Sequence, residues 1–153
     1  MIVHIAVPAM NEAEYIEQTL ACIQNQSCNA GINVYVCINQ PELYWDNEET
    51  RPICINNQLT LTILRKSKIE NLTVIDHCSK GLGWDSKKYG VGMARKVLMD
   101  FVSEKAHPED VVISLDSDTL FKPVYVQSIV DRFECYPKAV AISVPYFHDL
   151  TSK

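Results

Sequence analysis

The stretch Val111-Val-Ile-Ser-Leu-Asp116-Ser-Asp118 joins a short apolar run to two aspartates that stand two positions apart. Such a run is typical of a strand that is buried on both faces of a sheet. In extended backbone, residues two positions apart point to the same side, so both carboxylates would lie together where the strand ends. Two like charges that close repel each other unless a cation joins them, and Mg²⁺ and Mn²⁺ prefer oxygen ligands. We therefore predict that Asp116 and Asp118 bind a divalent metal.

Further apolar runs alternate with helical patterns along the whole chain. Strands are predicted over residues 2–7, 32–38, 72–75, 111–115 and 139–144. Helices are predicted over residues 11–26, 53–66, 93–103 and 123–133, the first of them capped by Asn11. This alternation predicts an α/β fold with a mostly parallel sheet and helices on both faces. Ligands of such sheets bind beyond the carboxyl ends of the strands, here at residues 8–12, 39–42, 76–79 and 116–118.

Composition and charge narrow the class of protein further. The chain has 153 residues, the size of one domain, and a formal net charge of −5, which disfavours nucleic acid as a partner. No apolar run approaches the roughly 20 residues needed to cross a bilayer. The six cysteines form no C-x-x-C pair and no secretion leader precedes them, so we expect reduced thiols and a cytoplasmic protein.

Three short motifs, in the order and on the elements just described, resemble those of family-2-type GT-A glycosyltransferases. Pro8-Ala-Met-Asn11-Glu12 resembles the P-x-x-N-E segment that follows the first strand in that family. Gly92-Met-Ala94-Arg95 resembles the G-x-A-R segment on the helix before the metal-binding strand, and Asp116-Ser-Asp118 resembles the D-x-D motif. The resemblance covers the N-terminal, nucleotide-sugar-binding half of the family's domain.

The resemblance implies a function and a set of binding residues. It implies metal-dependent transfer of a sugar from a nucleoside-diphosphate sugar, of the UDP or GDP type, to an unknown acceptor, with Mn²⁺ or Mg²⁺ as cofactor. Asp118 would be the closest metal ligand, and Asp116 would contact the ribose or a metal-bound water. Asn39 stands where the family usually has an aspartate that accepts a hydrogen bond from the base. The nucleotide-binding residues implied are Pro8, Asn11, Glu12, Asn39, Arg95 and Asp116.

The resemblance also implies that residues 1–153 are one nucleotide-sugar-binding domain, the N-terminal part of a longer glycosyltransferase. Inverting members of the family take the acceptor's proton with a carboxylate well past the metal motif. Only Asp131, Glu134 and Asp149 follow Asp118, and none is a convincing base, so the catalytic base is unassigned. His148 is a possible distal metal ligand. We expect apolar surface left exposed by the missing half to form a homodimer, and any contact with a membrane face to come from other parts.

The same residues fit other classes of protein less well or leave them as alternatives. Haloacid-dehalogenase-like phosphatases carry D-x-D-G-T, whereas here Thr119 follows Asp118 directly and the glycine is missing. Sugar-nucleotide nucleotidyltransferases carry a glycine-rich G-x-G-x-x-R loop after the first strand, where this chain has the acidic, glycine-free segment 8–12. No G-K-[ST] of a P-loop is present. A nucleotidyltransferase and a non-catalytic nucleotide-sugar-binding module remain the alternatives.

Overall fold

The computed structural model of the chain describes residues 1–85 and 89–146. Four strands, all parallel, form one sheet in the order β3-β2-β1-β4. Their bounds are β1 Ile2–Ala9, β2 Gly31–Asn39, β3 Leu72–His77 and β4 Val111–Ser114. The helices are α1 Ile16–Gln24, α2 Arg51–Lys66, α3 Val91–Ser103 and α4 Tyr125–Cys135, with a short 3₁₀ helix over Glu42–Asp46. The first four predicted strands and all four predicted helices are confirmed, with ends that differ by a few residues.

Each central strand divides its side chains between two hydrophobic cores, one on each face of the sheet. In β1, Val3, Ile5 and Val7 pack with α1, α2 and α4, whereas Ala6 packs with α3. These residues are almost wholly buried, which explains why the strands are continuously apolar rather than alternating. Helices therefore cover both faces, as predicted.

The order in which successive strands are added to the sheet reverses at β1. It runs from β1 outward to β2 and then β3, and α3 carries it back across the sheet to β4 on the other side of β1. Because βαβ crossovers are right-handed, the reversed direction places α3 on the face opposite to α1 and α2. The carboxyl ends of β1 and β4 thus flank a topological switch point, where ligands of open α/β sheets bind.

The predicted fifth strand over residues 139–144 is wrong. Residues 139–146 form neither helix nor strand, and Val140 is 97% exposed. Within the described part of the chain, β4 pairs only with β1, so its outer edge has no neighbour. An apolar run supplies the side chains of a strand, but its backbone groups must also bond to a neighbouring strand, and residues 139–146 pair with no strand of the described sheet.

The prediction that Asn11 caps the first helix is also wrong. Helix α1 begins at Ile16, and Asn11 adopts a left-handed backbone conformation with φ of 63°. Its backbone N–H donates to Oδ1 of Asn57 on α2, at 2.8 Å. This tertiary hydrogen bond holds residues 10–12 in a tight turn, and the short polar side chain of asparagine tolerates the left-handed conformation.

A polar cluster closes the amino-terminal end of the sheet. The ring of His4 is buried and bonds through Nδ1 to the Tyr35 hydroxyl, at 3.1 Å, and through Nε2 to Asp110, at 3.3 Å. The Asp110 carboxylate also accepts the backbone N–H groups of His107, at 2.8 Å, and Ile2, at 2.7 Å. These bonds tie the loop before β4 to the start of β1.

The Asp110 carboxylate makes stability depend on pH. Hydrogen bonds from the backbone of His107 and Ile2, together with His4, lower the pKa of Asp110 from 3.8 to about 2. The carboxylate therefore stabilises the fold fully above about pH 4, and this contribution disappears as the pH falls through 2. In urea unfolding between pH 5 and 2, the free energy of unfolding should fall more steeply with decreasing pH for the wild type than for Asp110→Asn. Equal slopes in the two proteins would contradict this role, and Asp46→Asn, at an exposed carboxyl, is the control.

Among residues 1–85 and 89–146, none of the helices combines the length and the apolar character that a bilayer crossing requires. His148 and Asp149, the possible metal ligand and the weak candidate for the base, lie outside the described residues, as do residues 86–88.

Candidate functional site

A cleft of about 390 Å³ opens at the switch point, beyond the carboxyl ends of β1, β2 and β4. It is bordered on one side by the start of α3. The cleft is lined by Pro8, Ala9, Met10, Glu12, Asn39, Val91, Arg95, Asp116, Ser117 and Asp118. Six of the seven residues that the sequence predicts for the nucleotide or the metal are therefore brought together. Asn11 is the exception, because it is exposed beside the cleft and its backbone N–H bonds to Asn57.

The two aspartates face the same way, as the spacing predicts. The alternation of β4 continues past its last residue, so that Leu115 and Ser117 are buried while Asp116 and Asp118 are exposed. The hydroxyl of Thr19 on α1 holds this loop by donating to the carbonyl oxygen of Ser117, at 2.8 Å. Packing on α1 thus keeps both carboxylates at the open end of the strand.

The carboxylates differ in their partners. Asp116 forms an ion pair with the guanidinium of Arg95, whereas Asp118 makes no hydrogen bond or ion pair with any described residue. Burial, followed by the negative charges of Asp118 and Asp116, raises the pKa of Glu12. The cleft therefore has an excess of negative charge that Arg95 neutralises only in part, and a cation would relieve the excess.

The carboxylates of the cleft suit a metal ion that is held partly by the protein and partly by a bound diphosphate. No cluster of three or more His, Cys, Asp or Glu side chains among the described residues could hold a metal by itself. Mg²⁺ and related ions commonly take one or two protein carboxylates and complete their coordination with water and substrate phosphates. Asp118, free of partners, and Asp116 suit that arrangement, which predicts that metal binds better with a diphosphate than alone.

Asn39 lies at the end of β2 and is 1% exposed. Its side-chain amide has one weak contact, from Nδ2 to the sulfur of Met10 at 4.0 Å, and no described residue donates to its Oδ1. A ligand in the cleft could therefore bond to both ends of this amide, which accepts at the oxygen and donates at the nitrogen.

A buried amide network supports the turn beside the cleft, and the sequence did not reveal it. Asn57 accepts from the backbone of Asn11 and donates to Gln40 Oε1, at 2.8 Å, and to the carbonyl of Asn39, at 3.4 Å. Gln40 in turn bonds to the thiol of Cys54, with 2.9 Å between Nε2 and Sγ. Asn57 and Gln40 are both fully buried. One polar residue on the inner face of a helix was the only signal in the sequence.

Asp76 lies at the same edge of the sheet but does not line the cleft. Its carboxylate accepts from the backbone N–H groups of Cys78 and Ser79, both at 2.9 Å, and from the hydroxyl of Ser79. Burial alone would raise the pKa of Asp76, but these hydrogen bonds outweigh it and lower the pKa. Asp76 therefore shapes the turn after β3.

The loop after β2 is fastened to the glycine-rich segment rather than to the cleft. The carboxylate of Glu42 accepts the backbone N–H groups of Gly81, at 2.7 Å, and Gly83, at 2.9 Å. A Cβ on Gly83 would lie 2.7 Å from the Cα of Glu42, so only glycine fits. Trp84 is 8% exposed and contacts the rings of His77 and Tyr89. Trp84 is therefore a packing residue.

The fold matches that of a known protein, although the sequence does not. No model of a protein family and no curated protein matches this chain. The crystal structure of residues 1–349 of TarS from S. aureus superimposes with a TM-score of 0.59 at 19% sequence identity. The match covers 95% of this chain and 39% of the TarS chain. At this identity the likeness shows the fold alone, which is a glycosyltransferase-like α/β fold.

Proposed function

We propose that this chain is the donor-binding domain of a metal-dependent glycosyltransferase, of the family-2 GT-A type, that takes a nucleoside-diphosphate sugar. The observation that carries the proposal is the cleft at the switch point, which collects Glu12, Asn39, Arg95, Asp116 and Asp118 from separate parts of the chain. TarS, whose fold the chain shares, is a staphylococcal glycosyltransferase. The chain spans about two-fifths of that TarS structure, so the proposal concerns the donor and not the acceptor.

The lining of the cleft supports a nucleotide ligand. Its volume of about 390 Å³ lies within the range of about 300–1,000 Å³ typical of small-molecule sites. Asn39, at the end of β2, and Pro8, near the end of β1, suit contacts with the base and the ribose. Asp118 and Arg95 lie toward β4 and α3 and suit the diphosphate. The start of α3 adds the backbone N–H groups of Val91 and Gly92, which have no partner among the described residues, and Val91 lines the cleft.

Charge explains why an acidic protein could bind a diphosphate here. A bound Mn²⁺ or Mg²⁺ would neutralise the negative charge that develops on the leaving nucleoside diphosphate. Asp118 and Asp116 would hold the ion, Arg95 would bind phosphate oxygens, and Glu12 and Asn39 would orient the nucleoside. The chain's contribution is positioning and a prearranged electrostatic field.

Calorimetric titration of UDP and GDP, each with Mn²⁺ and with a chelator, tests this proposal. We expect at least tenfold tighter binding with Mn²⁺, because the metal joins the carboxylates to the diphosphate. Equal binding in both conditions would contradict the metal's role, and absence of binding in both would contradict the function. UDP and UMP are matched ligands that differ by one phosphate, and the loss of that phosphate should abolish the effect of the metal. Formation of a sugar nucleotide from UTP and a sugar phosphate would instead favour a nucleotidyltransferase.

A further inference from the structure

Arg95 is the only positively charged side chain among the described residues that line the cleft. One terminal nitrogen of its guanidinium pairs with Asp116. Its Nε is buried and has no hydrogen-bond partner among the described residues. A guanidinium has five N–H donors, so most of the capacity of Arg95 is unused in this arrangement.

The ion pair and the proposed metal site make competing demands on one carboxylate. The negative charge of Asp116 is neutralised either by Arg95 or by a divalent cation. Binding of one cation to this carboxylate weakens the binding of the other. We propose that Arg95 is a built-in counter-ion, which holds Asp116 while no metal is bound and turns to the diphosphate when a metal takes its place. The inference rests on the proposed function, because it assigns both partners of Arg95 within the same site.

The exposure and the chemistry of Arg95 support an exchange of its partner. The side chains of Arg95 and Asp116 are 44% and 60% exposed, and an ion pair in that setting is weak enough to separate on binding. The planar guanidinium matches phosphate oxygens in a two-pronged geometry. Arg95 and Val91 lie one turn apart on α3 and line the same cleft, so the helix start and the guanidinium face one ligand.

A consequence is that metal and nucleotide bind cooperatively. Metal entry costs the free protein its Arg95–Asp116 contact, which lowers its affinity for the metal alone. With a diphosphate present, the released guanidinium gains phosphate contacts that offset this loss. Each ligand therefore raises the affinity for the other by the same factor.

Arg95→Gln separates the two roles, and Lys96→Gln is the matched control. Lys96 is the next residue of α3, carries the same charge, pairs with Asp100 on the exposed surface and does not line the cleft. We expect Arg95→Gln to bind Mn²⁺ alone about two- to fivefold more tightly, because the competing cation is gone. The same variant should bind UDP at saturating Mn²⁺ about tenfold more weakly. Lys96→Gln should change neither by more than about twofold.

Paramagnetic resonance of free Mn²⁺ and calorimetry of UDP give the two readouts, with circular dichroism to check the fold. Arg95→Lys keeps the charge but not the two-pronged geometry, so Mn²⁺ affinity should stay near that of the wild type while UDP affinity falls about threefold. This second variant tests the inference if the first fails to fold. Unchanged or weaker Mn²⁺ binding by Arg95→Gln, with UDP binding intact in the wild type, would overturn the counter-ion role alone. Tighter Mn²⁺ binding without any UDP binding would overturn only the proposed function.

Discussion

Asp118→Asn is expected to lower the affinity for UDP in the presence of Mn²⁺ by on the order of 100-fold, and Asp116→Asn by about tenfold. The difference follows from their partners. Asp118 is free to bind a cation, whereas Asp116 is already neutralised in part by Arg95. Calorimetry with and without Mn²⁺ measures both effects. In the presence of a chelator, neither variant should bind UDP more weakly than the wild type, because no metal then joins the carboxylates to the diphosphate.

Both variants should remain folded, because the two side chains are exposed at the end of β4 and support no packing. Asp131→Asn is the control, since it removes one exposed carboxylate from α4, outside the cleft. Thermal unfolding should agree among all four proteins within a few degrees. Loss of the folded state in either cleft variant, or a larger effect of Asp116→Asn on UDP binding, would contradict the assignment of Asp118 as the principal metal ligand.

Asn57→Leu is expected to have the largest effect on stability, a loss of about 3 kcal/mol in the free energy of unfolding. Leucine has nearly the same size but leaves the fully buried Gln40 side chain without a partner, and it also removes the partly buried hydrogen bond of the Asn11 N–H. Buried polar groups that lose their bonds cost more than the bonds themselves contribute. Urea unfolding at neutral pH measures the effect.

Asn71→Leu is the control for that substitution. Asn71 is exposed, and its amide makes one long contact of 3.5 Å to the carbonyl of Ile32, so a loss below about 0.5 kcal/mol is expected. Under folding conditions, Asn57→Leu should also weaken UDP binding, because the turn that presents Glu12 loses its support. A change in unfolding free energy below about 1 kcal/mol for Asn57→Leu would show that the amide network is dispensable.

Most of the fold follows from local patterns. Continuous apolar runs of the right length indicated β1 to β4, and amphipathic spacing indicated the helices between them. The alternation of these strands and helices then predicted a mostly parallel sheet. The exception is the apolar run at residues 139–144, which predicts a strand where the structure has neither strand nor helix. A strand depends on its neighbour as much as on its own residues, and residues 139–144 pair with no strand of the described sheet.

The candidate site also combines features that follow from the sequence with features that only the structure shows. Sequence alone determined that Asp116 and Asp118 stand at a strand end and face one side, because the period of two in extended backbone is a local property. It also indicated Pro8, Glu12, Asn39 and Arg95 as residues near the carboxyl edge. That these residues line one cleft is a result of the structure, and their roles toward a nucleotide or metal remain predictions.

Only the tertiary structure decided how the polar groups are partnered. Arg95 and Asp116 stand 21 positions apart, and Asn11 and Asn57 are separated by 46. No local rule relates such positions, since hydrogen bonds and ion pairs between them depend on how the sheet order brings their elements together. The left-handed turn at Asn11, the amide network beneath it and the unequal partners of the two aspartates are therefore consequences of packing, whereas the strands and helices that carry them follow from the sequence.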